Sequence, residues 1–215
     1  MDYIKGKVEL MITGMGKYNV LQSLNDINLE SGKDILISAG FAGATEPDLD
    51  SGEVFLIENV ELSDSAAEAA EALGSSEELL NFARTGIDSR VPTAKLVTLD
   101  SPVLSPEEKT AVNADSGCEL VDMETYWVAS HASEKKVPFL ALRVVFDELE
   151  RRLPPVKGGN SSGFYVSWPA LIWWVLKRPY RAIDLIAMYR DATKARTQLF
   201  EVLSPLLPRL EDFSS

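Results

Sequence analysis

Residues 121–129, VDMETYWVA, set the carboxylates of Asp122 and Glu124 beside Met123, where an apolar run passes into a helix-like pattern. Val121, Met123, Tyr126 and Trp127 mark the spot as mostly buried, and an ionised carboxylate buried without a partner is strongly disfavoured. The placement therefore requires a structural partner or a bound polar ligand. By itself Asp122 reads as a solvent-facing residue at a strand end, and Glu124 as an acid favouring the N-terminal dipole of its helix. Further along, VPFLALRVVFD carries Arg143 and Asp147 on one apolar run. The two-residue period of a strand sends both to the same side. Asp147 either serves a pocket or caps the next turn. His131, on the helix after Glu124, reads as a surface or packing residue rather than a base.

These residues need elements to hold them, and the chain alternates short β-rich runs with helical patterns, as an α/β sheet does. The patterns predict strands over Val8–Thr13, Asp34–Ser38, Val54–Val60, Ala94–Leu99, Glu119–Asp122 and Phe139–Phe146. Helices are predicted over Lys17–Leu24, Ala66–Leu73, Glu77–Ala83, Pro106–Ala114 and Glu124–Lys135. Ser105, Pro106 and Glu108 have the capping-box form with proline at the first helical position, and Gly74 and Gly86 look like helix stops. Gly14-Met15-Gly16 and Gly40-Phe41-Ala42-Gly43 follow the first two strands, Met123-Glu124 the fifth and Asp147 the sixth. Ligands of open α/β sheets bind at that edge, so the turns point to one pocket. Gly14 and Gly16 lack the third glycine of a dinucleotide fingerprint and serve as a tight turn or a ligand contact. Gly40 and Gly43 flank Phe41 and Ala42 and permit close backbone approach to a flat ligand.

Residues 154–163, PPVKGGNSSG, read as a mobile loop; SWPALIWWVLKRP and Ala182–Leu207 after it look helical. The expected organisation is a single domain: an α/β core over 1–153, the loop, and a helical segment over 164–215. With 215 residues and 46% apolar composition the chain can build one large core. A single cysteine, Cys118, and a single histidine leave no disulfide within the chain and no His/Cys metal cluster. A cytoplasmic setting is expected, with no exported or membrane-spanning segment. The net charge of −12 argues against nucleic acid as a partner. Acidic residues crowd Asp26–Glu78, while Lys177, Arg178, Arg181, Arg190, Lys194 and Arg196 make the C-terminal region locally basic.

The ordered set TGMGKYN, SAGFAGATEPDLDSGEVFLIENV, ELVDMETYWVA and VPFLALRVVFD resembles the purine nucleoside phosphorylase and 5′-methylthioadenosine/S-adenosylhomocysteine nucleosidase superfamily. Within it, the Asp-Met-Glu form, Arg143 and Asp147 followed by ERRLPP, and a tail with WWVLKRP and YRDATKART look closest to hopanoid-associated nucleoside phosphorylases, which are linked to adenine release from adenosylhopane. The resemblance implies a three-layer phosphorylase/hydrolase-like α/β fold, with a twisted mixed central sheet flanked by helices and a helical C-terminal appendage. It implies a small-molecule purine nucleoside as partner, no cofactor, phosphate or water as nucleophile, and a homo-oligomer, dimer or hexamer. Glu124 would accept the ribose hydroxyls, Met123 would pack beneath the sugar, and Asp147 would donate a proton to the departing purine, with Arg143 orienting the ribose or the nucleophile. Gly14, Phe41, Ala42, Gly43, Val103 and Phe146 would line the substrate site.

The implied reaction breaks an N-glycosidic bond through an oxocarbenium-like sugar, so the base must be neutralised and a nucleophile supplied. Val144, Val145 and Phe146 would raise the pKa of Asp147 by desolvation. The chain departs from the family pattern in several places. It reads as starting after the strand and loop that carry the water-activating glutamate or the phosphate loop. Ser38 and Phe41 stand where many phosphorylases have a phosphate-binding arginine. Val103 and Leu104 stand where an aromatic stacks on the purine, and Phe146 replaces a common serine. Trp168, Trp173 and Trp174 with Leu171, Ile172, Val175 and Leu176 precede Lys177 and Arg178. That composition suits a peripheral membrane contact or ledge for a lipid-tailed nucleoside, or else packing on the core or between copies.

Overall fold

A computed structural model describes residues 8–63, 71–86, 91–154, 156–159, 163–166, 168–177 and 181–213. The main sheet is mixed: β1 (Leu36–Ala44), β2 (Val54–Ser63), β3 (Thr93–Leu99), β4 (Leu120–Asp122) and β5 (Phe139–Asp147) in the order β1-β4-β3-β2-β5. β5 runs parallel to β1 and antiparallel to β2, so the expected open sheet curls shut into a barrel. The β1–β5 ladder slips between Ala42 and Gly43. Ala42 faces Val145 and Gly43 faces Asp147, which leaves Phe146 as an extra residue on β5. Such a bulge bends its strand and re-aims the neighbouring side chains.

The helices among the described residues are α1 (Lys17–Leu24), α2 (Glu77–Gly86), α3 (Pro106–Ser116), α4 (Thr125–Lys135), α5 (Trp168–Leu176) and α6 (Arg181–Phe213). Val20 and Leu24 of α1 and Val128, Ala129 and Ala132 of α4 bury against Ala42, Phe55, Leu96, Leu120 and Val145. On the other side, Leu79, Leu80 and Ala83 of α2 meet Leu206 and Leu210 of α6 over Leu56, Leu140 and Leu142. α6 also buries Ala195 against Val54 and Val144, so the expected appendage packs directly on the sheet. The sheet strands are apolar on both faces, as strands covered by helices must be.

Several sequence expectations are corrected. Val8–Thr13 alternates as a strand does, yet it forms none, and Leu10 and Ile12 are 85% and 88% exposed. No ladder hydrogen bonds join it to a strand, and β propensity is realised only through such pairing. Leu73 is bridged to Val60 through reciprocal backbone hydrogen bonds at 2.6 and 3.0 Å, so it ends no helix. Gly74 follows that bridge, packed on the Glu58 carbonyl where a Cβ would lie 2.3 Å away. Most of the predicted 66–73 helix lies outside the described residues. The loop expected over 154–163 instead contributes to a hairpin of β6 (Val156–Gly159) and β7 (Gly163–Val166), whose backbones pair from Val156–Val166 to Gly159–Gly163. Among the described residues, no helix is long and apolar enough to cross a membrane.

Candidate active site

Glu124 opens α4 without capping it by its side chain. Its carboxylate accepts instead from the Gly16 N–H at 2.6 Å and the Met123 N–H at 3.3 Å. Gly14 and Gly16 hold φ of 81° and 87°, a region that favours glycine, and so turn the chain into α1 beneath that carboxylate. Burial, and next the Asp122 charge, push Glu124 up to about 7, while the Gly16 N–H and Arg143 pull the other way. A carboxylate has acceptor capacity beyond these two donors, open to further hydroxyls.

Asp122 is not solvent-facing: it is 6% exposed. It accepts from Thr98 Oγ1 at 2.7 Å, from the Thr125 N–H at 3.1 Å and from the Thr125 hydroxyl. Arg143 Nε donates to it at 3.0 Å, with both side chains buried. The rest of the guanidinium donates to Ser38 Oγ at 2.9 Å and to the Leu142 carbonyl at 2.8 Å. The partner that a buried acid requires here is therefore Arg143 for Asp122, and the guanidinium sits beside Ser38.

Asp147, 4% exposed, ends β5. Its carboxylate lies against Gly43, where a Cβ would approach Oδ1 to 3.2 Å, so the small residue on β1 makes room for the acid. Lys109, fully buried, reaches Asp147 from α3 in an ion pair rather than an aligned hydrogen bond, and donates to the Glu148 carbonyl at 2.6 Å. Burial pushes the Asp147 carboxyl above its ordinary value, while Lys109 and then Arg151 oppose the rise. Asp147 caps no helix. Nothing in the sequence marked Lys109, which looks like one more lysine on a solvated helix.

Glu124, Met123, Arg143, Asp147, Gly14, Phe41, Ala42, Gly43, Val103 and Phe146 all line one cavity of about 1210 Å³, together with Lys109. The alternation that was to bring Arg143 and Asp147 together is broken by the Phe146 bulge, yet both face this space. Phe41 and Phe146 pack with ring centroids 5.8 Å apart. β1 and β5 thus put an aromatic pair at the cavity, where 101–106 has none. His131 does not line the cavity.

The phosphorylase superfamily model matches residues 2–154. The chain belongs to this superfamily. Membership puts it among enzymes that cleave glycosyl bonds. A 5′-methylthioadenosine/S-adenosylhomocysteine nucleosidase of Staphylococcus aureus is 29% identical over 156 residues, covering 65% of this chain and 68% of its own. Among solved structures, the corresponding nucleosidase of Helicobacter pylori with butyl-thio-DADMe-Immucillin-A superposes with a TM-score of 0.61 at 16% identity, covering 89% of this chain and 77% of that one. Futalosine hydrolase of the same organism superposes at 0.60 with the same identity and coverage. These structural likenesses establish the shared mixed-sheet fold.

Proposed function

We propose that this superfamily member cleaves the N-glycosidic bond of an adenosine-type purine nucleoside in this cavity. The observation that carries the reading is the convergence of Glu124 and Asp147 on one cavity. Glu124 would accept two ribose hydroxyls through charge-assisted bonds, with Met123 beneath the sugar. Asp147 would pass a proton to the base as it leaves, and the Phe41 and Phe146 rings, tilted 45° to each other, would offer the base apolar aromatic contact. Arg143, held by Asp122 and Ser38, gives the site a fixed cation to orient the sugar or the incoming water or phosphate.

The 5′ group is assigned an apolar, lipid-like character. At about 1210 Å³ the cavity exceeds the roughly 300–1,000 Å³ of most small-ligand sites. Leu36, Leu153, Leu203, Leu207 and Leu210 contribute apolar surface to its lining. The exposed α5 side chains Ile172, Trp173 and Leu176, with Lys177 3.5 Å over the Trp173 ring, are not packed on the core of this chain. They fit a contact with an anionic lipid surface that presents such a substrate, or with a second copy.

Release of adenine from 5′-substituted adenosines, with and without phosphate, tests the reading. Wild type should release the base and Asp147→Asn should lose about 10²–10⁴-fold of the rate, the usual worth of a general acid. Equal release by both proteins removes the assigned acid. One observation favours a second reading, a nucleoside-binding protein without turnover: the ion pair to Lys109 favours the Asp147 form that has no proton to give. Calorimetry that detects adenosine binding where no base is released would select it.

A further inference from the structure

Lys109 stands where a helix least welcomes a cation. It lies in the opening turns of α3, whose N-terminus carries positive partial charge. It is also fully buried, a rare state for lysine unless it is paired. The turn is fixed rather than incidental. Ser105 accepts from the Glu108 N–H at 3.3 Å, Glu108 accepts from the Ser105 N–H at 3.1 Å and the Leu104 N–H at 2.8 Å, and Pro106 begins the helix. Among the described residues the ammonium meets residues 147 and 148: an ion pair to the Asp147 carboxylate and hydrogen bonds to the Glu148 carbonyl at 2.6 Å and the Asp147 carbonyl at 3.5 Å. A capped helix thus delivers one charge to one acid.

We propose that Lys109 is a positioning residue for the cleavage, holding the Asp147 carboxylate on the cavity wall and setting the pH range over which it carries a proton. Among the described residues, these charged groups surround Asp147. α3 brings Lys109; the segment after β5 brings Arg151, itself tied to Asp191 of α6 at 2.7 Å and to Glu148 at 3.8 Å. β1 brings only the backbone of Gly43, and the cavity adds Arg143 and Glu124. Burial favours the neutral acid, and Lys109 is the foremost group opposing it. Removing the ammonium leaves desolvation less opposed, so the acid should keep its proton to higher pH.

The proposal rests on the acid assignment for its kinetic consequence only; the titration of Asp147 stands apart from it. The test is carboxyl ¹³C NMR of the full chain labelled at aspartate, with the Asp147→Asn spectrum identifying the signal. Lys109→Met should move the Asp147 midpoint up by about one to three pH units, the usual effect of a cation at such range, and Lys109→Arg should leave it near the wild-type value. An unmoved midpoint in Lys109→Met overturns the proposal. If that variant does not fold, Lys109→Gln, which keeps a donor without the charge, is read in the same way. In the adenine-release assay the alkaline limb of kcat/KM should shift upward with the midpoint in Lys109→Met and return in Lys109→Arg. An unmoved limb where Asp147→Asn abolishes release sinks Lys109 and keeps the acid. Undiminished release in Asp147→Asn sinks the acid and leaves the NMR midpoint to decide Lys109.

Discussion

At the scale of residues, the site divides its acids by their partners. Asp122 is neutralised by Arg143, so removing the guanidinium leaves a buried charge unpaired. Arg143→Met should destabilise the fold by about 3–5 kcal/mol, read from urea midpoints at constant slope. Among the described residues Glu124 has no such cation in contact, and burial with the Asp122 charge pushes its pKa from an ordinary 4.5 up to about 7. The folded state therefore holds its proton the more tightly. Its contribution to stability is complete below pH 4.5 and is lost as pH rises through about 7. Relative to Glu124→Gln, wild type should lose on the order of a few kcal/mol across that window, measured by denaturation of both proteins at pH 4.5 and pH 8. Nucleoside affinity should move oppositely and strengthen as pH rises through about 7, because the ionised form accepts the hydroxyls; Glu124→Gln should flatten that dependence in calorimetry.

Elements decide whether these groups meet. The Phe146 bulge and the room left by Gly43 place Asp147 at the cavity. Gly43→Ala would put a Cβ 3.2 Å from Asp147 Oδ1, so the acid must shift away from its position. Its kcat should fall at least about tenfold, since small misplacements of a reacting group are expensive, with thermal unfolding changed little. At the other side, Ser105→Ala removes the cap that steadies the turn bearing Lys109 and should cost about 1 kcal/mol. Most of this layer was legible in the sequence. The capping box of α3, the span of α4 and the strand ending at Asp147 show in local patterns, because caps and apolar runs are local. The bulge and the burial of Lys109 were not, since both depend on which strand lies across from which residue. Val8–Thr13 failed for the same reason: alternation describes a strand's faces but not its partner. Asp122 reads as solvent-facing in the sequence because its partner, Arg143, lies 21 positions away along the chain.

For the whole molecule, the C-terminal helices have two roles. α6 completes the apolar packing over β2 and β5 and supplies Leu203, Leu207 and Leu210 to the cavity wall, whereas α5 leaves Ile172, Trp173 and Leu176 outside. The family motifs in the first two-thirds of the chain disclosed the fold and the acid, Glu124, that lines the cavity. The apolar end proposed for the cavity was hidden, because its lining residues come from near position 36 and from beyond 200. If that end holds the 5′ group, lengthening an alkylthio chain on the 5′ carbon should tighten binding by about 0.8 kcal/mol for each buried CH₂, until the wall is reached. Competition titrations across such a series read this directly, and a flat series removes the apolar assignment.

The most direct measurement is a crystal structure of the protein with a 5′-alkylthioadenosine analogue whose base cannot leave. The two ribose hydroxyls are expected on the Glu124 carboxylate, with a purine nitrogen within hydrogen-bond reach of Asp147. A nucleoside bound with its base at Glu124, or outside the cavity that Asp147 faces, would contradict the account.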